Sequence, residues 1–193
     1  MNCEEFTKYW RTTYAEANPI WHELKGIYSN RWIRVHNLPE SKRYAETEDE
    51  YQIILNRQNK LISELVEENS EIMIVTGQYE KELTTGISNE LSGFGEFKKC
   101  RTLELHKIYP EQYDVDFFYD IYFRSDIWKR NSKNDLLKSI ADDEFQAMFI
   151  SPKGGCILIP YYGGMDIIVD SKEKRDGLKI KYSDWLSKRE DGL

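Results

Sequence analysis

Between Glu144 and Val169 the chain reads EFQAMFISPKGGCILIPYYGGMDIIV. Three apolar runs are separated by two breaks, each carrying a glycine pair: Gly154–Gly155 after Pro152, and Gly163–Gly164 after two tyrosines. Runs this short, bounded by glycine and proline, are predicted to be strands joined by tight turns. Consecutive strands joined by tight turns must be antiparallel, so the C-terminal half is expected to hold an antiparallel meander. Gly163 and Gly164 are expected to serve this turn through their freedom in φ.

The meander needs a cover. Asp170 with Glu173 resembles a capping box for a last helix, with Leu178, Tyr182, Trp185 and Leu186 spaced as one stripe to dock on the sheet. Earlier, Thr47 with Glu50 predicts the start of a long helix. Its apolar face is Tyr51, Ile54, Leu55, Leu61, Ile62, Leu65 and Val66, with Gln58 filling the gap. Phe6, Tyr9, Trp10 and Tyr14 predict an N-terminal helix, and Ser132 with Asp135 caps one carrying Leu136, Leu137 and Ile140. The segments RWIRVHNL, EIMIVTG, RTLELHKI and DVDFFYDIYF read as further strands. The strand–helix–strand order around Thr47 allows a parallel pair, and Gly77–Gly95 reads as a long loop. A single α+β (or α/β) domain over residues 1–193 is expected. It has a mixed sheet of about five to seven strands under helices.

Composition narrows the function. Lys and Arg total 27 against 34 Asp and Glu, a net charge of −7. That sign opposes general nucleic-acid binding, which needs a basic surface, and suits a basic protein partner. No run approaches the roughly 20 apolar residues of a membrane helix. The acidic start, MNCEEFTKYW, has no secretory h-region, so a cytoplasmic location is expected. Cys3, Cys100 and Cys156 are widely spaced and form no zinc pattern, so three reduced thiols and no metal are expected. No dinucleotide, P-loop, zincin or nucleophile-elbow motif occurs, so no cofactor and no catalytic residue is assigned.

Two sets of residues stand out. Arg34 and His36 share a strand face, and Ser41, Lys42, Arg43 and Tyr44 follow in a loop. Guanidinium forks, a lysine charge and an imidazole could hold a phosphate or carboxylate. Pairing with Glu40, Glu46 and Glu48 on the surface is the plainer alternative. The second set is acidic and aromatic: Glu111, Asp114, Asp116, Tyr119 and Asp120, with Asp142, Asp143 and Glu144 beyond. Carboxylates could steer a basic partner while rings anchor it. An ordinary strand, aromatic inside and acidic outside, would read the same way.

GGMDIIV followed by LKIKYSDWL resembles the close of an uncharacterised bacterial domain family that ends in Gly-Met-Asp, a spacer, then Tyr-x-Asp-Trp. LPESKRYAETEDEY and ADDEFQAMFISPKGG resemble it too, so about a third of the chain takes part. The resemblance carries no catalytic residue. It implies an association with immunity proteins of polymorphic toxins, and so a cytosolic protein that occludes the basic active cleft of a toxin domain. The alternative is an enzyme or small-ligand binder built on the Arg34, His36, Lys42 and Arg43 group.

Overall fold

The computed structural model describes residues 1–80 and 93–187. Seven strands form one sheet: β1 (Trp32–His36), β2 (Glu71–Glu80), β3 (Lys98–Glu104), β4 (Phe118–Ile127), β5 (Met148–Ser151), β6 (Cys156–Tyr161) and β7 (Gly164–Ile168), in the order β1-β7-β6-β5-β2-β4-β3. The meander forms as the glycine pairs predict, with Phe149 opposite Leu158 and Leu158 opposite Ile167. Every pairing among the described residues is antiparallel. The parallel pair allowed by the strand–helix–strand order does not form, because β1 leaves for the edge beside β7 while β2 enters between β5 and β4.

Both faces of the sheet are buried, which explains why β2, β5 and β7 read as continuous apolar runs. On β2, Ile72 and Ile74 face one core while Met73 and Val75 face the other. Among the described residues the α-helices are α1 (Cys3–Thr13), α2 (Leu24–Ile27), α3 (Glu48–Leu65), α4 (Leu105–Ile108), α5 (Asn134–Ala141) and α6 (Lys172–Lys181). The first core takes Leu61, Ile62 and Leu65 from α3, Leu136, Leu137 and Ile140 from α5, and Leu178 with Tyr182 from α6 and its end. The second takes Phe6 and Trp10 from α1, Leu24 from α2 and Leu105 from α4. A sheet sandwiched between two helical layers is an α+β fold with two cores.

Local capping differs in detail from the expectation. Thr47 accepts from the Glu50 amide as an N-cap should, but the Glu50 carboxylate turns back to the Glu46 amide and to Lys42. Ser171, one residue past Asp170, caps α6 by accepting from the Lys174 amide. Ser132 does not cap α5; its hydroxyl donates to the Lys129 carbonyl. Leu105 lies past the end of β3, in the single turn of α4. β2 runs to Glu80, so Gly77–Glu80 is strand rather than loop, and the centre of the expected loop lies outside the described residues. Gly77 fits there because a Cβ would meet the Tyr119 ring.

The three-thiol expectation is overturned. Cys3 and Cys100 form a disulfide across a separation of 97 residues, with Cα atoms 5.2 Å apart. α1 packs against β3, and that brings the two together. No local spacing encodes it. Cys156 alone remains a thiol; it is buried, and burial pushes its pKa up to about 12, so it is inert at neutral pH. Among the described residues no helix is long and apolar enough to cross a membrane.

Candidate functional site

The end of β1, the β6–β7 turn, one face of α3 and the turn at Ser183–Trp185 surround a cleft of about 680 Å³. That size falls in the range of small-molecule sites. Arg34, His36, Ser41 and Arg43 all line it, together with Arg57 of α3. Lys42 does not. Its Nζ reaches Glu50 Oε1 at 2.7 Å and Glu46 Oε2 at 3.1 Å, pairs of the kind that cover an ordinary surface.

Register places the first two side chains. Arg34 lies opposite Asp166 across β1–β7, and His36 lies opposite Gly164. Arg34 and Asp166 form a bidentate pair, both bonds 2.7 Å, with the guanidinium over the Tyr161 ring at 4.8 Å. The Arg34 charge is thereby matched inside the protein. Gly163 and Gly164 do not have positive φ, contrary to the expected role; they are required for space. A Cβ on Gly164 would lie 2.0 Å from the Val35 carbonyl oxygen, so alanine there must push β7 from β1. Gly164→Ala is expected to cost about 1–3 kcal/mol, as overpacking does, and to move His36. Urea unfolding and the amide shifts of β1 would check it; an unchanged midpoint would refute it.

A buried polar network holds the cleft wall. Asn37, 2% exposed, donates to the Tyr161 and Tyr162 carbonyls and accepts from the fully buried Gln58 of α3 at 3.0 Å. Gln58, which looks like a gap in the apolar stripe of α3, is thus the tie between α3 and the β6–β7 turn. Its neighbour Arg57 points into the cleft, donating to the His36 carbonyl at 3.0 Å with its guanidinium 4.8 Å from the Trp185 ring centre.

The electrostatics are uneven. Arg57 is half-buried, and no carboxylate among the described residues lies within salt-bridge distance; burial alone acts on its pKa, pushing it down. Arg43 is exposed and likewise makes no ion pair among the described residues. Glu40 and Asp184 also line the cleft; both are exposed, and neither makes an ion pair among the described residues. Among the described residues His36 Nε2 is shielded from solvent and has no hydrogen-bond partner. Burial, with Arg34 and Arg57 acting in the same direction, lowers its pKa. Glu40 and Ser41, also in the wall, sit at φ 56° and 58°, a left-handed pair that costs non-glycine residues free energy and so marks a corner held by its surroundings.

The acidic set does not form one face. Tyr119 and Asp120 are each 1% exposed, so they cannot meet a partner as expected. Both lie on β4 in the sheet interior, where Asp120 accepts from Thr102 Oγ1 and pairs with Lys99 at 2.5 Å. Asp142 accepts from the Tyr51 hydroxyl. Glu111, Asp114, Asp116, Asp143 and Glu144 are exposed. No group of three or more His, Cys, Asp or Glu among the described residues is arranged to hold a metal ion.

Arg57, Asn37 and Trp185 escape a reading by pattern, because each lies in an element whose periodicity already explains it. The one available signal is the polar run Asn56–Lys60 interrupting the apolar stripe of α3. Residues 20–190 match a family model described as a domain of unknown function (DUF3885), so the match omits α1. No curated protein and no solved structure matches the chain.

Proposed function

We propose that this chain, which belongs to the DUF3885 family, is a binding protein for a small organic anion, seated in the cleft between Arg57 and Arg43. One observation carries the reading: Arg57 is a half-buried guanidinium without a carboxylate partner among the described residues, aimed into the cleft. Removing an unpaired charge from water is costly, and an anion in the cleft would repay that cost. The rings of Tyr161, Tyr162 and Trp185 supply apolar surface for the rest of the ligand. Arg57→Gln is expected to weaken binding at least about tenfold, the usual worth of a charge-assisted hydrogen bond. Calorimetric titration with phenyl phosphate and benzoate tests this. Failure of the unmodified chain to bind either removes the reading.

A second reading is a cytoplasmic immunity protein that covers the basic cleft of a bacterial toxin domain. It is favoured by the segment Glu111–Asp116, where Glu111, Asp114 and Asp116 are exposed around Val115, itself 73% exposed. Co-expression with a toxin domain encoded beside it should restore growth, and Asp114→Lys with Asp116→Lys should abolish the rescue. Growth that is not restored by the unmodified chain counts against this reading.

A further inference from the structure

We propose that the ligand of the cleft is a zwitterion, an amino acid or short peptide whose carboxylate sits on Arg57 and Arg43 and whose ammonium group sits on Glu40 and Asp184. This rests on the reading of the cleft as an anion site and adds a positive charge to the ligand. Arg34 is taken up by Asp166 through two bonds of 2.7 Å, and Lys42 turns away to Glu46 and Glu50. The charged side chains that remain in the cleft wall are Arg43 and Arg57 against Glu40 and Asp184. Opposite charges share one cavity, yet none of these side chains makes an ion pair among the described residues. Their charges sum to zero, so a ligand of one sign would gain at the guanidinium groups and lose at the carboxylates. A ligand carrying both signs meets each group with its complement.

The fold holds the charges apart. Arg57 stands on α3, fixed by donation to the His36 carbonyl at 3.0 Å and by the Trp185 ring 4.8 Å away. That bond uses one N–H of the guanidinium, and the rest of the fork is available to a carboxylate. Asp184 precedes Trp185 in the Ser183–Trp185 turn. Glu40 lies in the Pro39–Ser41 turn, where it and Ser41 adopt positive φ. Arg43 follows, close enough to Tyr161 for its charge to oppose the rise that burial imposes on that hydroxyl's pKa. His36 takes no part, its Nε2 being shielded from solvent.

Apolar surface lies beside these charges. The Tyr162 ring is stacked on Tyr44 at 4.9 Å, and Trp185 lines the same cleft, so an aromatic side chain has flat rings to rest on. A cleft of about 680 Å³ has room for more than one residue of a peptide.

Calorimetric titration of the full chain at pH 7 tests the assignment. The free-ended ligands are L-phenylalanine and L-phenylalanyl-L-phenylalanine. Their N-acetyl forms lose the positive charge, their C-terminal amides lose the negative one, and benzoate and phenyl phosphate serve as plain anions. A peptide α-amino group, with a pKa of about 7.7–8.0, is mostly charged at that pH. The better free-ended ligand is expected to bind at least about tenfold tighter than either of its blocked forms, the usual worth of a charge-assisted hydrogen bond. Tighter binding of the dipeptide assigns the zwitterion to peptides, and tighter binding of phenylalanine assigns it to free amino acids. Glu40→Gln combined with Asp184→Asn should erase the preference over the N-acetyl form and leave affinity for that form undiminished. Arg57→Gln should weaken both. An N-acetyl form bound as tightly as the free-ended ligand overturns the zwitterion and leaves the anion cleft standing. Plain anions bound while neither free-ended ligand binds have the same meaning. An amide bound as tightly as the free-ended ligand shows the guanidinium groups to be idle and refutes both readings, as does a chain that binds nothing in the set. Should the double variant fail to fold, the blocked and free-ended ligands on the unmodified chain still decide.

Discussion

Asp166→Ala is expected to lower the unfolding free energy by about 3–5 kcal/mol, the usual result of stranding one member of a buried ion pair. The side chains of Arg34 and Asp166 are only 15% and 6% exposed. Arg34 lies between the rings of Trp32 and Tyr161 and would keep its charge without a counter-ion. The loss belongs to the stranded charge more than to the attraction. Arg34→Met combined with Asp166→Leu should accordingly recover most of it, since an apolar pair of similar volume is often neutral. Urea unfolding of Arg34→Met, of Asp166→Leu and of the double variant measures the coupling. Single variants that unfold at the same urea concentration as the unmodified chain would show the pair to be inert.

Reducing the Cys3–Cys100 bridge is expected to cost about 2–4 kcal/mol. The chain-entropy argument gives about 4.7 kcal/mol for a loop of about 100 residues, and bridges commonly deliver less. The separation here is 97 residues. α1 would remain on the sheet through Phe6, stacked on Phe123, and Trp10, whose indole donates to the Ala17 carbonyl at 2.7 Å. Reduction should therefore loosen α1 before it unfolds the sheet. Urea melts with and without a phosphine reductant, alongside Cys3→Ser, would measure the effect, and hydrogen exchange along α1 would locate it. Equal midpoints under both conditions would exclude the bridge as a stabilising link. Cys156 does not complicate the test, being buried and fully protonated. The reduced chain is also the form a reducing cytoplasm would favour, so the same experiment bears on the immunity reading.

Much of the cleft was visible as residue types before it was visible as a place. Arg34 and His36 are two apart on a strand, so they must share a face. Ser41 and Arg43 follow closely enough to return to them. Lys42, between those two, could equally well have joined; it turns instead to Glu46, just before α3, and Glu50 in its first turn. Tyr119 and Asp120 were misplaced for a related reason. Alternation within DVDFFYDIYF suggests one buried and one open face, whereas the sheet is covered on both sides and Asp120 is buried against Lys99 and Thr102.

From its residues alone the chain determined its strands, its long helix, its meander and its α+β class, because glycine breaks and apolar periodicity act between neighbours a few positions apart. Tertiary structure alone decided the antiparallel order of the sheet, the Cys3–Cys100 bridge and the arrival of Arg57 beside His36. Each joins residues distant in the chain, and such contacts depend on how the layers pack.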